Sequence, residues 1–295
     1  MKTKTTIYNA MGIFPGKKLK GKEKYQHLYH YTSFDTFVRI WCTQQLKLGS
    51  ISGVNDIQEK TKPITVRNLQ QMPLAHAFHK IISSYKQLSF TMDYDTYLKG
   101  SMAPMMWGYY ADKSNGVCIE FDYNKLNFPK GTIKGPIKYV PYLIKDIQLP
   151  SDIATIKDLK KFIKRSARNI FLTKHKSWAG ENEYRAVCQD IDYLDISDAI
   201  SAIYVTSYNS LECLMVEKML EGTDIPVKFI HFNASGKERY AIPLLTESKG
   251  YREQVEEALN NPDNAISKIS IQAKEHFEIN RGSENVSLLK ESYKL

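Results

Sequence analysis

Residues 27–41, HLYHYTSFDTFVRIW, change their hydrophobic period at a single serine. Before Ser33 the pattern is that of a strand, with Leu28, His30 and Thr32 on one face and His27, Tyr29 and Tyr31 on the other. After it, Phe34, Phe37, Val38 and Trp41 recur at helical spacing, and Ser33 is placed to cap that helix. Two histidines and two tyrosines within five residues are more polar than a half-buried strand needs, so the stretch is a candidate binding element.

Downstream, short strands and helices follow without regular βα alternation, which predicts an α+β fold. LKL reads as a strand, NLQQMPLAHAFHKIISSYKQ as a helix and LSFT as a strand. MMWGYY gives a short helical turn, and VCIEF a buried strand after the turn DKSNG. The prolines of TIKGPIKYVPYL place its strands at a sheet edge. LKKFIKRSARNIFLTK is a basic helix with Leu159, Phe162 and Ile163 on one face. EYRAVCQD, SAIYVTS and PVKFIHF are strand candidates, with NSLECLMVEKML a helix between the last two. The expected organisation is a basic leader over 1–24, one α+β domain over 25–245 and a charged helical appendage over 246–295.

The chain has 295 residues, 42% of them hydrophobic, enough for a sizeable core. It has no apolar run long enough to span a bilayer. The start has basic residues but neither the apolar region nor the cleavage site of a signal peptide, so a cytoplasmic protein is expected. Cys42, Cys118, Cys188 and Cys213 form no CxxC pair and read as four buried free thiols. The net charge of +9 is concentrated partly in GKKLKGKEK, which reads as a solvated tail; the alternative, contact with the phosphates of a nucleic acid, is less favoured because no aromatics interleave with its lysines. Phosphate-loop, dinucleotide-fold, zincin and nucleophile-elbow motifs are absent from the sequence.

The chemistry-bearing candidates are three stretches. In WAGENEYR, a strand over ENEYR would project Glu181, Glu183 and Arg185 from one face. Spacing leaves two readings open: an arginine-balanced ladder, or a carboxylate that binds a ribose hydroxyl and stabilises a cationic sugar transition state. In NDIQE, Asp56 and Glu59 fit a capping box better than a metal site. In MMWGYY, adjacent Tyr109 and Tyr110 cannot both face inward, so one of them lines a cleft or packs under a loop.

In order, LYHYTSFDTF, LKL, NDIQE, MWGYYADKSNGVCIEFD and WAGENEYR resemble the pattern of domain-of-unknown-function family 2971, across roughly residues 25–245. The first motif further resembles the opening strand of ADP-ribosyltransferases, some of which modify nucleic acid. That resemblance implies a mainly antiparallel, mixed sheet core of ADP-ribosyltransferase-like type with flanking helices, and NAD as substrate. It also implies roles: Glu183 as catalytic carboxylate, Glu181 polarising the acceptor, and His30, Tyr31, Tyr110 and Asn55 at the NAD site. A toxin or anti-phage effector of this kind would act on nucleic acid or protein, would have a neutralising partner protein and would need no membrane. The alternative is a non-catalytic module on the same fold that binds nucleic acid or a partner. One departure bears on activity: where family members commonly carry His, this chain has Tyr109.

Overall fold

The computed structural model describes residues 18–53, 56, 59, 64–67, 69–96, 98–141, 147–206, 210–232 and 239–243. Its contacts divide the chain into two units, Met1–Ile242 and Pro243–Leu295, and every element below starts in the first. Asn55, residues 1–17 and the helical patterns of 246–295 lie outside the described residues.

Strand β1 (His27–Thr32) passes directly into helix α1 (Phe34–Thr43), and the Ser33 side chain accepts from the Thr36 amide at 3.3 Å. Short strands β2 (Gln45–Lys47), β3 (Gly49–Ser50) and β4 (Ile64–Thr65) lead to α2 (Met72–Ser83) and the long β5 (Tyr85–Met92). Then come α3 (Pro104–Tyr110), β6 (Val117–Asp122), β7 (Ile133–Pro136), β8 (Lys138–Val140) and β9 (Ile147–Gln148). The remainder is α4 (Ile156–Phe171), β10 (Thr173–His175), β11 (Glu183–Gln189), β12 (Tyr193–Asp195), β13 (Ile200–Thr206), α5 (Ser210–Leu220), β14 (Val227–Phe232) and β15 (Arg239–Pro243).

The main sheet has the order β15-β14-β13-β6-β1-β5-β11-β7, with β3 paired to β5 off that path. The β13–β14 pairing is parallel; β1, β3, β5, β6, β7, β11 and β13 pair antiparallel along the rest. The protein is therefore α+β with a mixed, mostly antiparallel sheet. Pro136 sits in β7 at the sheet edge, where a missing amide donor is tolerated.

Register places Tyr29, Thr91 and Glu183 abreast on one face of the sheet. Two apolar clusters pack there. One joins Val187 of β11 to Phe78 and Ile82 of α2 and to Leu159, Phe162, Ile163 and Phe171 of α4. Burying each such side chain contributes about 1.5–3 kcal/mol, which is what holds α4 despite its many charges. The other joins Tyr29 and Tyr31 to Met106 and Trp107 of α3 and to Cys118 and Tyr204. Tyr31 also donates to the Gly100 carbonyl at 2.5 Å, and a side chain at Gly100 would overlap the Tyr29 ring.

Two expectations are corrected. The helix predicted through Gln87 ends at Ser83, because the Ser83 and Ser84 hydroxyls turn back onto the carbonyls of His79 and Ile81. Tyr85 then opens β5 with its ring 4.7 Å from that of Phe171. The cysteines are all free, but only Cys118 and Cys188 are buried; Cys213 is half-buried and Cys42, on the outer face of α1, is exposed.

Candidate functional site

The β1–β5 ladder is short. It pairs Leu28 with Met92 and Tyr29 with Thr91, and β3 takes over farther along, pairing Gly49 with Gln87 and Ser50 with Lys86. Between these two ladders the Ser89 carbonyl is met by a side chain: His30 Nδ1 lies 3.2 Å from it. A cavity of about 380 Å³ occupies this break, lined by residues from both faces of β5 together with His30, Tyr31, Met106, Tyr110, Lys174, Glu181, Glu183 and Arg185. The break explains how His30, which alternation puts on the face opposite Glu183, still reaches the same space.

Because a carbonyl cannot donate, Nδ1 of His30 carries the proton and Nε2 is left as an acceptor. Burial holds the His30 pKa below its ordinary value, against the opposing Ser89 contact, so the ring is neutral at physiological pH.

Opposite the histidine lies a buried ionic cluster. Arg185 donates from Nε to Glu183 Oε1 at 2.6 Å and from Nη2 to Oε2 at 2.8 Å. Its Nη1 also donates to Glu59 and, at 2.9 Å, to the Phe171 carbonyl. Lys174 donates to Glu181 Oε2 at 2.5 Å and lies 3.6 Å from Glu183 and 3.9 Å from Glu59. Three carboxylates thus share two cations, and all five side chains are almost wholly buried. Ser89 Oγ donates to Glu183 Oε1 at 2.6 Å, so one serine touches Glu183 with its hydroxyl and His30 with its carbonyl.

The two glutamates diverge electrostatically. Burial pushes both carboxyl groups up. For Glu183 the charge and hydrogen bonds of Arg185, with Lys174 and Ser89, outweigh burial and bring the pKa below the ordinary value. For Glu181 burial prevails over Lys174 and Tyr110, aided by the like charge of Glu183, and the pKa is raised. The two neighbouring carboxyl groups therefore differ in proton affinity, Glu181 holding a proton more readily than Glu183. Tyr110 Oη donates to Glu181 Oε1 at 2.5 Å, fixing the ring as a wall of the cavity.

The ENE element differs from a continuous strand. Glu181 ends a 3-10 turn spanning Lys176–Glu181, and β11 starts only at Glu183. Between them Asn182 adopts left-handed backbone geometry, φ 45° and ψ 51°, which asparagine tolerates better than most residues. Its side-chain amide donates to the carbonyls of Met92 and Asp93, both at 3.0 Å. Arg185 does not balance both glutamates as the strand reading implied; Lys174 is the partner of Glu181.

Of the residues singled out from sequence, His30, Tyr31, Tyr110, Glu181 and Glu183 line the one cavity. Tyr109 is 72% exposed while Tyr110 lines the wall, the division expected for adjacent tyrosines on a short helix. Sequence reading missed Ser89, Lys174 and the catch of Glu59 on Arg185. Glu59, expected to complete a capping box with Asp56, instead turns its carboxylate onto Arg185; its amide donates to the Asp56 main-chain carbonyl at 3.1 Å, a main-chain turn. Among the described residues no group of three or more His, Cys, Asp or Glu side chains is arranged to hold a metal ion. Nor is any described helix long and apolar enough to cross a membrane.

The fold and site thus define an α+β protein with an acidic, cation-buffered cavity at a break in its sheet. Residues 106–186, which run from α3 to Ala186 and contain Tyr110, Lys174, both glutamates and Arg185, match the family described as a protein of unknown function, DUF2971. The match supports the resemblance to that family found in the sequence motifs. No curated protein matches the chain.

Proposed function

We propose that the cavity binds NAD and that the protein is an ADP-ribosyltransferase. The observation that carries this reading is the convergence of His30, Tyr110, Glu181 and Glu183, drawn from four separate elements or turns, on one cavity. His30 would accept a ribose hydroxyl at Nε2, with its ring held by Ser89. Tyr110 offers a planar face to the nicotinamide ring, and its hydroxyl is already satisfied by Glu181. Glu183, kept ionised by Arg185, would favour positive charge developing on the ribose. Glu181, whose pKa burial raises above the ordinary carboxylate value, would exchange a proton with the acceptor. The buried hydroxyl of Thr91, for which the described residues provide no hydrogen-bond partner, also lines the cavity and suits a sugar hydroxyl. The bond to nicotinamide is the reactive one, and NAD supplies its own leaving group.

The test is transfer of label from NAD to nucleic acid or to lysate proteins by the wild type, Glu183→Gln and Glu181→Gln, with circular dichroism to check each fold. Transfer by the wild type, lost in folded Glu183→Gln, is the expected result. Absence of NAD cleavage together with no thermal shift at saturating NAD would overturn the reading, since a ligand bound to the native state must stabilise it.

A further inference from the structure

Helix α4 has a one-sided charge distribution that the cavity chemistry does not use. Lys157, Lys160, Lys161, Lys164, Arg165 and Arg168 are all exposed, and the only acid in the helix, Asp158, is half-buried at its first turn. There its carboxylate accepts from the Thr155 hydroxyl at 2.6 Å, while its amide donates back to the same Thr155 oxygen at 3.2 Å. The basic positions advance by three or four residues, forming a stripe roughly 16 Å long at 1.5 Å per residue. On α2, which packs against α4, the exposed side chains include His76, His79 and Lys80, and the helix carries no acid.

Such a stripe suits a polyanion, and the burial of the other face of the helix disfavours insertion into a lipid surface. A basic amphipathic helix engages a lipid surface by inserting its apolar face. Here that face, Leu159, Phe162, Ile163, Ala167, Ile170 and Phe171, is buried in the core against α2 and β11. Only the charged side is available. The helix that carries the stripe leads into the cavity wall: the Phe171 carbonyl closing α4 accepts from Arg185, and Lys174, three residues on, holds Glu181. Exposed Tyr109 stands beside the cavity-lining Tyr110, ring centroids 6.5 Å apart, as a face on which an unpaired base can stack.

We propose that the exposed face of α4 binds the phosphodiester backbone of single-stranded nucleic acid and leads a nucleotide toward the cavity. The second half of that statement rests on the transferase reading above; the docking surface does not.

Full-length protein is titrated against fluorescein-labelled single-stranded RNA and DNA oligonucleotides by anisotropy over a range of salt. The expected wild-type result is binding whose log affinity falls linearly with log salt. In K160E/K164E/R168E, with circular dichroism unchanged, affinity drops at least about tenfold and the salt slope shrinks by about 2, at roughly 0.7 per lost contact on a single strand. The milder K160Q/K164Q covers the case in which charge reversal unfolds the helix, and should give a smaller change of the same sign. Equal affinity and slope in folded variants would overturn the proposal, as would binding to phosphatidylserine vesicles without binding to oligonucleotides. Oligonucleotide binding that depends on α4 but occurs in a protein unable to cleave NAD would uphold the docking surface and overturn only the transferase reading.

Discussion

Arg185 grips Glu183 through two parallel contacts, Nε to Oε1 at 2.6 Å and Nη2 to Oε2 at 2.8 Å, two positions apart on the same strand. The guanidinium is buried with it, and its third nitrogen is committed to Glu59 and the end of α4. Arg185→Ala would leave two buried carboxylates without their main cation. Chemical denaturation is expected to show a loss of about 3–5 kcal/mol, the usual consequence of breaking a buried pair from one side. Arg185→Lys should recover little, because an ammonium cannot reproduce the bidentate geometry.

Glu183 also sets an acid limb. Its folded pKa lies below the ordinary glutamate value of about 4.3, so the ionised form favours the native state. That stabilisation is present above the ordinary value and is lost as pH falls through the lowered one. Urea midpoints between pH 3 and 7 should therefore rise less steeply with pH in Glu183→Gln than in the wild type.

His27 gives the opposite sign. Its Nδ1 lies 2.8 Å from Glu120 Oε1, and the Glu120 contact raises the imidazole pKa despite the burial that opposes it. The contribution is complete below the ordinary histidine value of about 6.5 and fades as pH rises through the folded value. Melting curves of the wild type and His27→Gln should differ at pH 5.5 and converge by about pH 9. The difference is expected to be small, because the His27 side chain is 38% exposed and screened by solvent.

Tyr110→Phe isolates the hydroxyl from the ring. The Tyr110 hydrogen bond lowers the Glu181 pKa, so its removal leaves burial less opposed and moves that pKa farther up. In the transferase reading, the limb of the pH–rate profile assigned to Glu181 should shift to higher pH while NAD affinity changes little. Tyr110→Ala, which also removes the planar face, should weaken NAD binding by about tenfold or more, in line with an aromatic contact of 1–2 kcal/mol.

Thiol labelling of the native protein should proceed in order. Cys42 is exposed and reacts first. Cys213 follows slowly, being half-buried with its pKa raised by burial to about 11. Cys118 and Cys188 should react only on unfolding. A burst of more than one equivalent with dithionitrobenzoate, followed by peptide mapping to Cys118 or Cys188, would contradict the structure.

Elements with a regular period were readable directly. The switch at Ser33, the buried VCIEF strand and the apolar face of α4 follow from alternation or helical spacing alone. The glutamates were found because two acids and an arginine within five residues demand explanation. Their partners were not, since Lys174 and Ser89 belong to elements whose neighbours are set by tertiary pairing. Lysine and serine also carry no distinctive spacing. Asn182 illustrates the limit most clearly: a two-residue alternation reads straight through ENE, yet the left-handed asparagine breaks the strand there. The break at β1–β5 is a further case, because nothing in either strand's own sequence says where pairing stops.

That break separates two kinds of heritable information. The opening exists because main-chain partners change from β1 to β3, so it belongs to the topology and survives side-chain replacement. The chemistry belongs to a few exchangeable groups placed around it. Variants of Glu181 or Glu183 that retain the fold should keep a vacant socket of similar dimensions, ready for complementation by small exogenous acids such as formate. For the same reason, a chain sharing this sheet is told apart as catalyst or mere receptacle by the residues at the rim of the gap, not by the presence of the gap.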